Sequence, residues 1–578
     1  KTSTFIIETT EEAYLAHGLD RIDQDGSIAF CEDLFCEVLD GASLMTNARH
    51  IRGSAWLNFN RLICGKWSHF NGNSHVVLMG DAAHTAHFAI GSGTKLAIDD
   101  AIELTRQFQI HGHSRDKIPA VLETYEEIRR VDVARIQNAA RNAMEWFEVV
   151  GRRYADTLEP EQFMYSMLTR SQRISHENLR LRDKDWLEGY ERWFARKSGL
   201  AVANDRCLPP MFTPYSLRGV TLQNRIVMSP MAMYSAKDGL INDFHMVHLG
   251  ARALGGAALI FGEMTCVSPD ARITPGCLGL WNEEQARGWR RVVDFVHGNS
   301  GAKVGIQLGH AGRKGATKIA WEGIDQPVTE GEWPLISASA IPYLKHSQVP
   351  KAMDRADMDR VKADHVRAAE LAAATGADWL ELHCAHGYLL SSFLSPLTNI
   401  RNDEYGGSHE NRARYPLEVF RAIRAVWPSD KPISVRLSCN DWTEGGNTPE
   451  DAAIFARMFK QAGADLIDCS SGQVSKEEQP VYGRLFQTPF SDKIRNEIGI
   501  PTIAVGAISE ADHANSIIAA GRADLCAVAR PHLADPAWAL HEAAKIGIST
   551  IPWPKQYHAG KYQYEANLAR AATTAPGK

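Results

Sequence analysis

From about Met211 onward, apolar residues come in short, nearly unbroken runs separated by amphipathic stretches. Eight runs stand out: 225–228, 258–263, 304–308, 379–383, 433–437, 466–469, 502–505 and 525–529. Runs that are apolar throughout, rather than alternating, mark parallel strands buried on both faces. Between several of them the apolar spacing is helical. One such helix covers 361–374 and is closed by Gly376; another covers 452–462 and is closed by Gly463. Glycine just past a helix end is the usual left-handed cap. The phrases Thr375-Gly-Ala-Asp378, Ala462-Gly-Ala-Asp465 and Gly521-Arg-Ala-Asp524 repeat one device of helix stop, turn and strand. Eight strands with helical crossovers predict a (β/α)8 barrel. A doubly wound open sheet is the alternative, but it would normally use fewer strands.

Before about Ala203 the texture differs: short strand-like runs alternate with long charged helices. Ile118, Val121, Leu122, Tyr125 and Ile128 recur at helical spacing, and the pattern continues through Val131 and Ile136. The polar face of this long helix, with Glu126, Glu127, Arg129 and Arg130, is expected to be solvated. Residues 197–210 mix Gly, Asn and Pro and read as a linker. The expected division is therefore 1–196, a linker over 197–210, and the barrel over 211–578.

Composition narrows the class. The chain of 578 residues is 44% hydrophobic and 23% charged, which suits a globular protein with an ample core and excludes disordered and collagen-like chains. Lys plus Arg number 63 against 69 Asp plus Glu, a net charge of −6, which argues against nucleic acid as a partner. No run approaches the ~20 apolar residues of a membrane span, and the start reaches Glu8 too early for a signal peptide. The ten cysteines include no Cys-x-x-Cys pair, which disfavours a disulfide scaffold, structural zinc and an iron–sulfur cluster. A reducing cytoplasm fits best.

In such barrels chemistry belongs at the C-terminal strand ends, and here those ends are polar. The first ends in Ser229-Pro-Met-Ala-Met-Tyr234, the third in Gln307-Leu-Gly-His310, and the fourth in His383-Cys-Ala-His386-Gly-Tyr388. The fifth carries Arg436, the seventh Gly506 and the eighth Arg530. Arg530 with Gly506 matches the phosphate site that barrels build after strands seven and eight. Arg436 and Gln307 suit a ring bearing carbonyls and nitrogens. The spacing His383-x-x-His386 would serve a metal, but no third ligand appears on a neighbouring end. A neutral pair donating hydrogen bonds to a substrate oxygen is more economical. Tyr388 and Tyr234 are then candidate proton donors or substrate contacts. The long irregular stretch from Gly309 to Met358 reads as a lid or binding element.

Four segments carry a resemblance: Asn224-Arg-Ile-Val-Met-Ser-Pro-Met-Ala-Met-Tyr234, Gln307-Leu-Gly-His-Ala-Gly-Arg313, His383-Cys-Ala-His-Gly-Tyr-Leu389 and Phe393-Leu-Ser-Pro-Leu-Thr-Asn-Ile-Arg-Asn-Asp-Glu-Tyr-Gly-Gly407. Together they span the barrel and resemble the old yellow enzyme family of FMN-dependent ene-reductases, particularly its bacterial branch. The resemblance implies FMN held by Ser229, Pro230, Met231, Ala232, Met264, Gln307, Arg436, Ala529 and Arg530. It implies His383 and His386 on the substrate carbonyl, Tyr388 as proton donor, and a homodimer. Two positions depart from the pattern. Ala232 stands where that branch often has Cys beside the flavin, and His558 stands where relatives commonly place an Arg that reaches a neighbouring subunit. Related dienoyl-CoA reductases add a cysteine-ligated cluster, for which this chain has no clustered cysteines.

In the first region, Val76-Val-Leu-Met-Gly80-Asp81 is an apolar strand ending in Gly-Asp, followed by Gly91-Ser-Gly-Thr94 and a helix through Asp99 and Asp100. A carboxylate at a strand end suits ribityl hydroxyls, and glycines at a helix start let backbone approach a flavin ring. An ordinary Gly-rich turn is the alternative. With His84-Thr-Ala-His-Phe-Ala-Ile-Gly-Ser-Gly-Thr-Lys95 the segment resembles the second flavin motif of FAD-dependent aromatic hydroxylases, most closely those acting on aryl-CoA thioesters. That implies FAD contacts from Asp81 and from Gly91, Ser92, Gly93 and Thr94. The hydroxylases open with a strand and Gly-x-Gly-x-x-Gly, which is not found ahead of these segments here. The expectation is thus an α/β chain: a partial α+β hydroxylase domain lacking its N-terminal Rossmann half, then the TIM barrel.

The two halves together resemble the bifunctional 2-aminobenzoyl-CoA monooxygenase/reductases, of the salicylyl-CoA 5-hydroxylase/oxidoreductase type. That implies an aryl-CoA thioester, O2 and NAD(P)H as reactants, with hydroxylation at FAD followed by enone reduction at FMN. Two other readings stay open. The barrel would be a general ene-reductase with a first region that only docks or dimerises, or the chain would carry flavin without catalysis.

Overall fold

The computed structural model describes residues 5–44, 56–200 and 207–574. They form two compact units, one of Lys1–Ala155 with Met167–Ile174, the other of Asp156–Ser166 with Ser175–Lys578. No helix among the described residues is long and apolar enough to cross a membrane.

The second unit is a closed barrel. Its strands are β1 (Ile226–Met228), β2 (Leu259–Phe261), β3 (Lys303–Gly309), β4 (Trp379–Cys384), β5 (Ile433–Ser438), β6 (Leu466–Ser470), β7 (Thr502–Val505) and β8 (Leu525–Val528). Each pairs in parallel with the next, and β8 pairs with β1. The eight apolar runs are thus the eight strands, and closure excludes the open sheet. β1, β2, β4 and β6 are buried at every position, because crossover helices cover one face and the barrel interior the other. An antiparallel hairpin, Tyr215–Leu217 with Val220–Leu222, precedes β1. Its Val220 and Leu222 pack with Leu259, Phe261, Trp379 and Leu466 in one core cluster.

The crossover helices follow local rules. Arg355–Ala374 starts six residues ahead of the apolar periodicity because Asp354 and Asp357 form a reciprocal cap. Pro449–Ala462 has Pro in its first turn and ends at Gly463 with φ 103°.

The boundary differs from the one read in the sequence. Asp156–Ser166 and the helices His176–Arg182 and Lys184–Lys197 belong to the barrel unit, not to the first unit. They attach to one crossover helix, Ala511–Ala519. Gln162 Nε2 donates to the Ala519 carbonyl at 3.2 Å and Tyr190 Oη donates to the same oxygen at 2.6 Å. The His176 N–H donates to Ser516 Oγ and the Glu177 N–H to Asp512 Oδ1. The last carbonyls of a helix have no partner within it, and here side chains from far along the sequence supply one. Within the linker read over 197–210, residues 201–206 lie outside the described residues.

In the first unit, the helix Ile118–Arg153 packs its apolar stripe on the helix Gly93–His111 and on Trp67, Ala83 and Ala86. The polar face expected to be solvated is partly interior. Arg129 is buried, with Nε 2.7 Å from Asp100 Oδ1, and Asp100 is fully buried. Arg130 binds Glu126 and the carbonyl of Gly65, while Glu126 accepts the Trp67 N–H at 3.0 Å. The helical spacing was read correctly, but the partner that pulls Arg129 inward lies 29 residues away.

Asp100 also accepts the Gly80 N–H at 2.8 Å and meets His84 Nε2 at 2.8 Å. It thereby ties the Gly80–Ala82 turn to both helices. Burial opposes its ionisation, yet the hydrogen bonds from His84, Arg129 and Gly80 prevail and hold its pKa below the usual value. Asp100→Ala is expected to destabilise this unit by about 3–5 kcal/mol, because the buried Arg129 loses its nearest partner and keeps only the longer contacts to Asp132 at 3.4 Å and the Leu96 carbonyl at 3.5 Å. Since the folded pKa is depressed, the wild-type contribution is present above about pH 4 and is lost as pH falls further. Urea unfolding followed by Trp67 fluorescence at pH 7 and at pH 3 measures both effects. A variant as stable as wild type at pH 7 would refute the assignment.

Candidate active site

Side chains two apart on a strand share a face, so the barrel interior receives polar residues in rows. Gln307 on β3, Glu381 on β4 and Ser434 on β5 are register partners. One step nearer the strand ends, His383, Arg436 and Asp468 form a second row across β4, β5 and β6. In the first row, Gln307 Nε2 donates to Glu381 Oε1 at 2.9 Å and Ser434 Oγ donates to Oε2 at 2.8 Å. Trp379 Nε1 in turn donates to Ser434 Oγ. In the second, Arg436 Nη1 lies 3.3 Å from Asp468 Oδ2 and 3.4 Å from Ser229 Oγ at the end of β1.

Two buried carboxyl groups therefore lie in the field of one guanidinium, which contacts Asp468 directly and reaches Glu381 only through its charge. Burial raises the pKa of both, and the charge of Asp468 raises Glu381 further. Arg436 Nε and Asp468 Oδ1 are buried without a hydrogen-bond partner among the described residues. Unpaired polar atoms of this kind mark a surface prepared for a polar ligand. A flavin ring edge, with alternating donors and acceptors, fits this donor set.

The histidines stand at the end of β4. His383 Nδ1 accepts the Ala385 N–H at 3.1 Å, so its proton sits on Nε2. That Nε2 is 3.3 Å from His386 Nδ1, and His386 Nε2 is 2.7 Å from Ser470 Oγ at the end of β6. Burial and then the Arg436 charge hold both histidines well below the usual pKa, so both are neutral. Among the described residues, no three His, Cys, Asp or Glu side chains are grouped to hold a metal ion.

The Tyr388 ring meets His383 edge-on at 4.9 Å between centroids. Burial, then the neighbouring Tyr234, raises its pKa, and burial likewise raises that of Tyr234. Both phenols keep their protons. Tyr234 has φ 49° and its ring meets the largely exposed Trp321 of the long β3–β4 segment. Lys314, in the same segment, donates to the carbonyls of His386 and Gln473 at 2.9 and 3.0 Å. Burial lowers its pKa to about 7.

The other residues singled out in the sequence are distributed as follows. Pro230, Met231 and Ala232 form a half-buried irregular segment after Ser229. Met264 is buried beside Gly309, where an added Cβ would lie 2.7 Å from Met264 Sδ and 3.2 Å from His383 Cβ. Glycine there is a packing requirement. Gly506 follows β7 with φ 106°, where a Cβ would come within 2.6 Å of Gln487. Ala529 and Arg530 follow β8, with Arg530 exposed. In the first unit, Asp81 is exposed in the turn Gly80–Ala82, Gly91 is left-handed with φ 61°, Ser92 is buried and Gly93 begins the helix. Added Cβ atoms at Gly91 and Gly93 would meet nothing within 4 Å, so this backbone stays open to approach, a geometry that suits a flat ring laid against it.

Glu381, Ser434, Asp468, Ser470 and Lys314 were not singled out in the sequence. The available signal for Glu381 and Ser434 was period two, each lying two positions before a polar residue already noted on its own strand, His383 and Arg436; β6 carried no such residue to count from.

Residues 210–547 match the family described as NADH:flavin oxidoreductase / NADH oxidase, and residues 49–140 match one described as FAD binding domain. An NADPH dehydrogenase of Geobacillus thermodenitrificans (strain NG80-2) is 42% identical over 352 residues, covering 61% of this chain and 98% of the relative. One from Listeria monocytogenes serotype 4a (strain HCC23) is 43% identical over 349 residues, 60% of this chain and 98% of the relative. Among solved structures, a 2-naphthoyl-CoA reductase–2-naphthoyl-CoA complex superposes with a TM-score of 0.52 at 27% identity, covering 57% of this chain and 51% of that one. Histamine dehydrogenase from Rhizobium sp. 4-9 gives 0.51 at 27% identity, covering 59% of this chain and 48% of that one. This chain thus spans about half the length of each of those two structures.

Proposed function

The chain belongs to the NADH:flavin oxidoreductase / NADH oxidase family, and we propose that its barrel reduces a carbon–carbon double bond conjugated to a carbonyl. The ring reduced is the product of hydroxylating an amino- or hydroxy-substituted benzoyl-CoA in the first unit. The observation that carries this reading is the neutral histidine pair at the end of β4, with the His383 proton fixed on Nε2 by the Ala385 N–H. The 2-naphthoyl-CoA complex supports an aryl-CoA thioester as substrate, and the dehydrogenase relatives support NADPH as reductant.

Ser229, Gln307, Arg436 and Met264 would hold the FMN ring, and Gly506 with Ala529 and Arg530 its phosphate. In the first unit, Asp81 and Gly91 to Thr94 would hold FAD. When bound, FMN supplies hydride exchange between nicotinamide and substrate, and FAD supplies oxygen activation. The share of the protein side chains is different. Reduction at the β-carbon moves negative charge to the carbonyl oxygen, and the His383 Nε2–H donates to that oxygen as the charge develops. His386 is positioned beside it. Tyr388 or Tyr234, both protonated, gives the proton to the α-carbon. Burial first, and then the Arg436 charge, keeps both histidines neutral, so they act as hydrogen-bond donors and not as acids.

Anaerobic mixing of the holoprotein with hydroxylated 2-aminobenzoyl-CoA and NADPH tests this directly. Loss of the aromatic absorbance with stoichiometric NADPH oxidation is expected. Unchanged ring absorbance would overturn the reading. Denaturation should release FAD and FMN together; FMN alone would favour a general ene-reductase whose first unit only docks.

A further inference from the structure

Ser470 ends β6 and is buried, in register with Ser438 on β5. Its Oγ makes the shorter of the two ring contacts of His386, 2.7 Å to Nε2 against 3.3 Å from Nδ1 to His383. The His386 backbone is fixed independently of its ring. Its N–H donates to Ser438 Oγ at 2.8 Å, its carbonyl accepts from Lys314 Nζ at 2.9 Å, and its φ is 62°, a conformation that costs energy for any side chain but glycine. Ser438 Oγ donates onward to the Gly472 carbonyl at 3.0 Å. Ring position is therefore set, and what stays open is where the ring proton sits.

His383 has no such freedom, because Ala385 commits its Nδ1. For His386 two arrangements are compatible with the geometry. With the proton on Nε2, the ring donates to Ser470 Oγ, and Nδ1 accepts the His383 Nε2–H. Both imidazole protons are then used inside the pair. With Ser470 donating its hydroxyl to Nε2, the proton sits on Nδ1. His383 Nε2–H and His386 Nδ1–H then point toward each other, which requires an acceptor oxygen between them.

We propose that Ser470 is the positioning residue that sets the His386 tautomer, its hydroxyl turning from acceptor to donor when a carbonyl oxygen enters between the rings. The inference rests on the reading that this pair holds the substrate carbonyl. Both forms carry the same number of protons and exchange through water. The incoming oxygen selects the Nδ1–H form, since only that form offers it two donors. A hydroxyl suits the role because it both donates and accepts.

The test uses the full-length holoprotein, with phenol as a mimic of the developing oxyanion. Nitrogen NMR of 15N-histidine-labelled protein, assigned with His386→Asn, reports which ring nitrogen carries hydrogen. In wild type, phenol is expected to move the proton from Nε2 to Nδ1. Ser470→Ala should abolish that response and weaken phenol binding about tenfold, the loss of roughly one charge-assisted hydrogen bond. Its kcat for enone reduction should fall by a similar factor while the KM for NADPH is unchanged. Ser470→Thr, which keeps the hydroxyl, should restore both to within about threefold. Equal tautomer response and phenol affinity in wild type and Ser470→Ala would overturn the role of Ser470 while leaving the histidine pair intact. A threonine variant as impaired as alanine would also overturn it, since packing would then explain the loss. Wild type that fails to bind phenol would overturn the reading of the pair itself.

Discussion

Replacing Arg436 with methionine is expected to cost the barrel about 3–5 kcal/mol and to empty it of FMN. The side chain is buried and is the only cation in contact with Asp468 among the described residues, and its charge also reaches Glu381. Methionine fills similar volume but leaves two carboxyl groups with no counter-charge, the situation in which breaking a buried pair is most damaging. The sign of the pH dependence follows from the raised pKa of both acids. In the folded state they bind protons that the unfolded chain releases, so the stabilisation of the neutral forms is complete below about pH 4 and is lost as pH rises. The variant should therefore lie closest to wild type in acid and fall behind it progressively toward pH 8. Arg436→Lys keeps the charge but loses the planar fork, and should recover part of the stability and little of the flavin. Urea midpoints at pH 4.5 and 8, with flavin counted after dialysis, report both. A methionine variant that retains FMN and an unchanged midpoint would refute the charge assignment.

The second large effect is at His383. His383→Ala should lower kcat/KM for a conjugated enone by about 10²–10³, the usual loss on removing a fixed donor from a developing oxyanion. His383→Gln, which keeps an N–H near the same place, should lose less. The fold should tolerate both, because the side chain's hydrogen bonds among the described residues are one to a loop N–H and one to His386. Steady-state rates across a series of enones, with thermal midpoints alongside, separate chemistry from stability. An alanine variant turning over at the wild-type rate would leave the pair without a part in the reaction and would favour a flavin carrier.

The barrel was legible because its strands are buried on both sides, which forces apolar residues at nearly every position and leaves polar exceptions conspicuous. His383, Arg436 and Gln307 were such exceptions. Glu381 and Asp468 were exceptions too, lying two residues before His383 on β4 and two before Ser470 on β6. They went unread because a lone carboxylate in an apolar run gives no hint of its partner, and register across strands is not written in either strand alone. The same limit hid Arg129. Its helical phase was plain, but only the fold brings Asp100 within 2.7 Å. The division expected at 197–210 rests on composition alone. Composition marks where a chain turns loose, and says nothing of which body a helix joins.

Gln162 and Tyr190 cover the closing carbonyls of the helix Ala511–Ala519. A protease nick or a genetic transplant that parted the halves at 197–210 would strip this cover and leave those oxygens facing solvent beside a newly bared apolar flank. The barrel unit's own helical cover thus begins at Asp156, upstream of the stretch that composition marks as a boundary.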